Sequence, residues 1–294
     1  MNYLEELEAE SISILRESAI VFKRPVILFS GGKDSLTLLH LCKKAFYPFR
    51  IPFDILHIDT GHNFSETLKF RDKTITALGV NLIVRSVIDS IRLGRVKDTG
   101  GSRNSLQTTT LLDAMTEFNF DSAIGGARRD EEKARAKERI FSLRDSQGKW
   151  NPSSQRPELW NLYNGYMKPG QQMRVFPLSN WTELDIWSYI RRENLALPSL
   201  YFTHKRLCLI RKGVIIPASE ELKPKPNEKI QTLDIRFRTV GDITCSAAVE
   251  SKASNAQEVI NEICSSPYSE RSGRIDDRTS EWSMSHQPWW CRSK

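Results

Sequence analysis

Apolar positions along the chain fall into two alternating periods. In "MNYLEELEAESISILRESAIVF" leucines and isoleucines recur at helical spacing with acids between them, which predicts an amphipathic helix. "PVILF" is a short apolar strand, and after a glycine loop "SLTLLHLCKKAF" returns to helical spacing. The same alternation repeats as the strand "PFDILHIDTGH", the helix "SETLKFRDKTITALG" and the strand "VNLIVRSV". Strands and helices of these lengths in strict alternation predict an α/β fold: a mostly parallel central sheet with helices on both faces.

The glycine-bearing polar stretch "RVKDTGGSRNS" predicts an exposed loop, followed by the helix "SLQTTTLLDAMTEF" and the strand "FDSAIGG". From Gly148 to Gly170 the periodicity fades among Pro, Asn, Trp and Tyr. "QMRVFPLSNWTELDIWSYIRREN" restores it as a strand, a turn and a helix capped by Thr182. "IRKGVIIPASEELKPKPNEKI" is rich in proline and is expected as a surface excursion, "QTLDIRFRTVGDITC" as a short strand and "NAQEVINEICSS" as a short helix. The expected organisation is a core nucleotide-binding region over 1–146, an extended region completing the substrate site over 147–240, and a C-terminal appendage over 241–294.

The net charge of +7 changes this picture little, because basic residues are mixed with acids through much of the chain. That distribution favours small anionic substrates or a partner surface over a polynucleotide. The five cysteines contain no close CxxC pair, which argues against a zinc knuckle or a disulfide framework. With no stretch that reads as a signal or a membrane span, a cytoplasmic setting is expected.

The candidate chemistry begins at Ser30–Ser35. Gly31 and Gly32 allow a tight strand-to-helix turn whose amides converge on phosphate, with Lys33 to neutralise charge and the Ser30 and Ser35 hydroxyls to donate. Asp34 would repel phosphate unless it holds magnesium, organises Lys33 or caps the helix. The run is neither GxGxxG nor GxxxxGK[ST]. At the end of the second strand, Asp59 either holds magnesium or adenosine, or caps its turn. His57 is a site candidate that also reads as a core residue.

A second anion site is expected in "IGGARRDEEKARAKERIFSLRD". Gly125 and Gly126 open the backbone, and Arg128 and Arg129 offer guanidinium forks to a dianion or to departing phosphates. Asp130 and Glu131 are expected to orient them or to help position magnesium. The Lys133–Arg139 run reads equally as a solvated face. Trp181, Trp187 and Tyr189 are expected in the core, with a wall of the anion pocket as the alternative. Arg156 and Trp160 are lid or partner contacts, or local packing.

The phosphate loop resembles that of the ATP pyrophosphatases. Together with "HIDTG", "NPSSQRPELWNLYNG", "RVFPLSNWTELDIWSYI", "RFRTVGDITCSAAVES" and "SERSGRIDD", it resembles the small subunits of bacterial sulfate adenylyltransferases, within the PAPS reductase-like nucleotide-binding family. The resemblance implies an adenine nucleotide alpha hydrolase-like fold and AMP transfer from ATP to sulfate, yielding adenosine 5′-phosphosulfate and pyrophosphate. It also implies Mg2+ and a larger GTPase subunit that binds GTP, in a heterodimer or higher heteromer. Lys33, Arg128 and Arg129 are then the expected catalytic residues, and Asp34 and Asp59 the expected neighbours of the metal. A reductase of adenylylsulfate or phosphoadenylylsulfate would need a C-terminal cysteine in an ECG-type setting, and "PWWCRSK" around Cys291 lacks it. A tRNA-modifying ATP pyrophosphatase would need catalytic cysteines near the cleft or an RNA-binding appendage.

Overall fold

A computed structural model of the chain describes residues 2–97, 103–131, 136–211, 213–226, 228–266 and 270. The tail with Cys291, the "SERSGRIDD" segment except Glu270, part of the Lys133–Arg139 run and the centre of the 95–105 loop lie outside the described residues. The chain divides into two compact units, Met1–Pro198 and Ser199–Lys294.

The first unit runs α1 (Tyr3–Val21), β1 (Pro25–Leu28), α2 (Lys33–Phe46), β2 (Asp54–Asp59), α3 (Ser65–Leu78), β3 (Leu82–Ser86) and α4 (Val87–Arg92). It continues with α5 (Gln107–Glu117), β4 (Ser122–Ile124), β5 (Phe141–Arg144), β6 (Gln172–Val175) and α6 (Glu183–Arg192). Its six strands are ordered β3-β2-β1-β4-β6-β5, all parallel except β5 against β6.

Strand alternation sends successive side chains to opposite faces. Ile27, Ile55 and Ile124 are in register and pack with Leu7, Ile14 and Leu15 of α1 and Ile186 and Ile190 of α6. Val26, Leu56 and Ala123 turn to the other face and pack on Ala114 and Met115 of α5. Helices therefore cover both faces, as the near-continuous apolar strands require. Thr182 caps α6 through a reciprocal capping box with Asp185, and Trp181, Trp187 and Tyr189 are fully buried core residues.

The boundaries differ from the expected 146 and 240. β6, from the second expected region, inserts between β4 and β5, so the sheet keeps residues up to Pro198 in the first unit. "FSLR", embedded in a charged run, is edge strand β5.

The second unit contains β7 (His204–Arg211), β8 (Val214–Pro217), β9 (Gln231–Phe237) and β10 (Ala248–Glu250), closed in the order β10-β8-β7-β9, and α7 (Ala256–Ser265). The expected surface excursion is thus corrected in part: "VIIP" is β8, with Pro217 opposite Cys208 at the strand end. A break after 240 would separate β9 from its partner β10.

Candidate active site

Strand order reverses between β1, which is followed in sequence by its neighbour β2, and β4, which lies on its other side. Crevices at the carboxyl ends of such strands are where open α/β sheets take ligands. The loops leaving β1 and β4 meet there, and they carry the two segments singled out for anion chemistry.

The β1 loop turns at Gly31, whose φ of +78° is in the left-handed region. A Cβ at this position would lie 2.7 Å from Thr67 Cγ2 on α3, so the site needs glycine for both conformation and space. Gly32 is the N-cap of α2 and supplies no side-chain cap. The first-turn amides of this 14-residue helix, with the positive end of its dipole, therefore face the crevice without a side-chain acceptor on the cap residue. Ser35 Oγ donates to the Gly32 carbonyl at 3.0 Å, and the Gly32 amide donates to Ser30 Oγ at 3.3 Å. These hydroxyls shape the turn itself.

Lys33 and Arg128 have fully buried side chains and meet at one carboxylate. Lys33 Nζ lies 3.0 Å from Asp34 Oδ2, and Arg128 Nε donates to Asp34 Oδ1 at 2.7 Å. Burial alone would push the Asp34 carboxyl up, but the Lys33 and Arg128 charges prevail and hold it at about 2. Arg128 Nη1 also donates to Asp130 Oδ2 at 3.4 Å, and that oxygen accepts the Glu183 amide at the start of α6 at 3.1 Å. Asp130 orients Arg128 as expected.

Both Asp34 oxygens are engaged by cations, so of its expected roles the structure shows the one that organises Lys33. Asp59 Oδ1 accepts the Gly61 amide at 2.7 Å and the Asn63 side-chain amide at 3.4 Å, so it caps its own turn. Its other oxygen remains for a ligand. No cluster of three or more His, Cys, Asp or Glu residues forms a metal cage among the described residues.

His57 is buried and works from behind the loop. Its Nδ1–H donates to the Phe29 carbonyl at 2.8 Å, and Nε2 accepts from the Asn63 amide at 3.2 Å. Burial pulls its pKa down, so the ring is held neutral. It positions the phosphate loop.

Gly125 and Gly126 bring the β4 loop onto α2. The Gly125 amide donates to the Val175 carbonyl at 2.8 Å. A Cβ on Gly126 would stand 3.0 Å from the Asp34 carbonyl carbon and 3.2 Å from Ser35 N. Arg129 departs from expectation: its Nε and Nη2 each donate to the Glu138 carbonyl at 3.3 Å, and its Nη1 bonds Asn180 Oδ1. It staples the β4 loop to the segment before α6, while its neighbour Arg128 turns to α2.

Arg71 on α3 was missed by sequence reasoning. It is buried, paired with Asp72 at 2.7 Å, and lies one helical turn beyond Thr67 beside Gly31. The four-residue spacing of Thr67 and Arg71 was its only signal.

The family model of the phosphoadenosine phosphosulfate reductase domain matches residues 24–248. Over 285 residues the chain is 55% identical to sulfate adenylyltransferase subunit 2 of Mycobacterium tuberculosis, spanning 97% of this chain and 92% of that protein. The protein of the same name from Mycolicibacterium gilvum matches to the same extent. The chain belongs to the sulfate adenylyltransferase subunit 2 family. The FMN adenylyltransferase of Candida glabrata, solved in complex with ATP, aligns with a TM-score of 0.50 at 16% identity, covering 92% of this chain and 87% of that one. That likeness is one of fold alone. This subunit 2 family member thus has its Lys33–Asp34–Arg128 group at the switch point of an α/β sheet.

Proposed function

We propose that this chain is the adenylyl-transferring subunit of a sulfate adenylyltransferase, converting ATP and sulfate into adenosine 5′-phosphosulfate and pyrophosphate. The observation that carries the reading is the 55% identity over 97% of the chain to proteins of that name. The convergence of Lys33 and Arg128 at the uncapped start of α2 supports it.

Sulfate is already deprotonated, so its oxygen attacks the α-phosphorus without a general base. The work is to align two anions and offset their repulsion. The amides of Gly31, Gly32 and the first turn of α2, with Lys33, hold the β- and γ-phosphates and stabilise the leaving pyrophosphate. Arg128 takes up charge developing near the α-phosphate, held in place by Asp34 and Asp130. Asp59, through its second oxygen, is the residue that would hold Mg2+, which would supply further charge neutralisation when bound. Arg129 keeps the loop in shape.

The other subunit is the larger GTPase, whose GTP turnover drives an unfavourable activation; the 241–294 segment is the proposed contact with it. No described helix is long and apolar enough to cross a membrane, and the cytoplasm is the proposed location. The chain is to be co-purified with its GTPase partner and assayed with ATP, Mg2+ and GTP, with and without sulfate, resolving both products. Sulfate-dependent formation of adenosine 5′-phosphosulfate with equimolar pyrophosphate is expected. A folded, assembled complex that makes neither product overturns the reading.

A further inference from the structure

Away from the Lys33–Arg128 group, one face of the sheet edge carries buried charge where apolar residues would be ordinary. Ser142 and Arg144 of β5 lie opposite Arg174 and Gln172 of β6, and Trp150 bridges to Arg144 from the other side. Alternation puts these five side chains on one face, the face of Ala123 and α5. Arg174 is 8% exposed, and its Nη1 is buried without a hydrogen-bond partner. Gln172 Oε1 and Trp150 Nε1 are buried and unpartnered as well.

Among the described residues the local charge does not balance. Glu138 is the carboxylate at this place, and its Oε1 already accepts from Arg144 and from Ser142 Oγ. Burial first, then the neighbouring Arg144 guanidinium, lowers the Arg174 pKa, yet an arginine keeps its proton at neutral pH. A guanidinium left in the interior with an unmade hydrogen bond is costly, and such a group is retained where something charged meets it.

We propose that Arg174, with Arg144 at the rim and Trp150 Nε1, forms a second oxyanion site, taking a tetrahedral dianion in the form of the sulfate acceptor or a nucleotide phosphate. Two residues along β4 from Ala123, the register partner of Arg174, stands Gly125, about 7 Å at strand spacing. The site thus lies just beneath the loop that carries Arg128. The Gln172 amide, turned about its last bond, adds a donor in place of its orphaned oxygen. The identity of the anion rests on the proposed adenylyltransferase reading; the existence of the site does not.

The test has two arms, both on the full chain assembled with its partner. In the first, calorimetric titration with sodium sulfate, and separately with ATP, at fixed ionic strength compares the unmodified protein with Arg174→Met and Arg174→Lys. In the second, the KM values for sulfate and ATP are measured on the same proteins. Arg174→Met is expected to weaken one anion about tenfold or more, with Arg174→Lys recovering part of it. A rise confined to sulfate identifies the acceptor, and one confined to ATP identifies a nucleotide phosphate. Unchanged binding and unchanged KM values in a folded variant overturn the site. If Arg174→Met does not fold, Arg144→Met at the partly exposed rim carries the same comparison. A complex that binds sulfate through Arg174 but forms no product refutes the reaction while leaving the site standing.

Discussion

Arg128 Nε donates to Asp34 Oδ1 at 2.7 Å across 94 residues of chain, joining the loop after β4 to the first turn of α2. The bond is short, buried on the arginine side and shared with Lys33 through the other carboxylate oxygen. One acid thus fixes two cations at the point where strand order reverses.

Removing Lys33 tests the phosphate role. Lys33→Ala leaves Asp34 its Arg128 partner, so the fold persists, while productive ATP binding and pyrophosphate departure weaken. Steady-state kinetics in the assembled complex should show kcat/KM for ATP falling on the order of 100-fold. Preserved activity in a folded variant removes Lys33 from the mechanism.

The two adjacent arginines should separate. Arg128→Ala is expected to lower kcat on the order of 100-fold or more, because the guanidinium proposed to meet the transferring phosphate is gone. Arg129→Ala loses its bonds to Glu138 and Asn180 and should lower the melting temperature with kcat within about threefold. Parallel kinetics and thermal melts decide the matter, and equal losses of kcat would reverse the assignment.

Asp34 gives the protein an acid-dependent stability. In the folded chain the Lys33 and Arg128 charges hold its carboxyl at about 2, against an ordinary 3.8 when unfolded. The contribution, about 2 kcal/mol, is complete above about pH 4 and is lost as pH falls through about 2. Asp34→Asn should flatten that part of the stability profile. At neutral pH the same change removes the carboxylate that Lys33 and Arg128 share and costs about 3–5 kcal/mol. Denaturant titrations at a series of pH values read both effects.

Gly126→Ala probes the seam between the loops. The new methyl would meet the Asp34 and Ser35 backbone at 3.0–3.2 Å, where no flexible side chain can yield. A loss of about 1–3 kcal/mol is expected, along with a raised KM for ATP as Arg128 is carried away from Asp34. A melting curve and ATP kinetics unchanged from the original would show that the seam relaxes freely.

Sequence by itself determined the strand-helix alternation, the glycine loop at the first strand end, the capped helix at Thr182 and the core role of Trp181, Trp187 and Tyr189. Each rests on local periodicity or on residues within one turn of each other, which one segment records completely. The tertiary structure alone decided the rest. β6 enters the sheet beside β4 through pairing that no local pattern encodes, and the short β5 was hidden in a run of charges. Consecutive Arg128 and Arg129 look equivalent as letters; backbone direction after β4 sends one to Asp34 and the other to Glu138. The meeting of Asp34 with two cations, one of them 94 residues away, is likewise invisible in the local sequence. The unpartnered guanidinium of Arg174 is visible only once the sheet is assembled, because its burial and its competition with Arg144 for Glu138 arise from three separate stretches of chain.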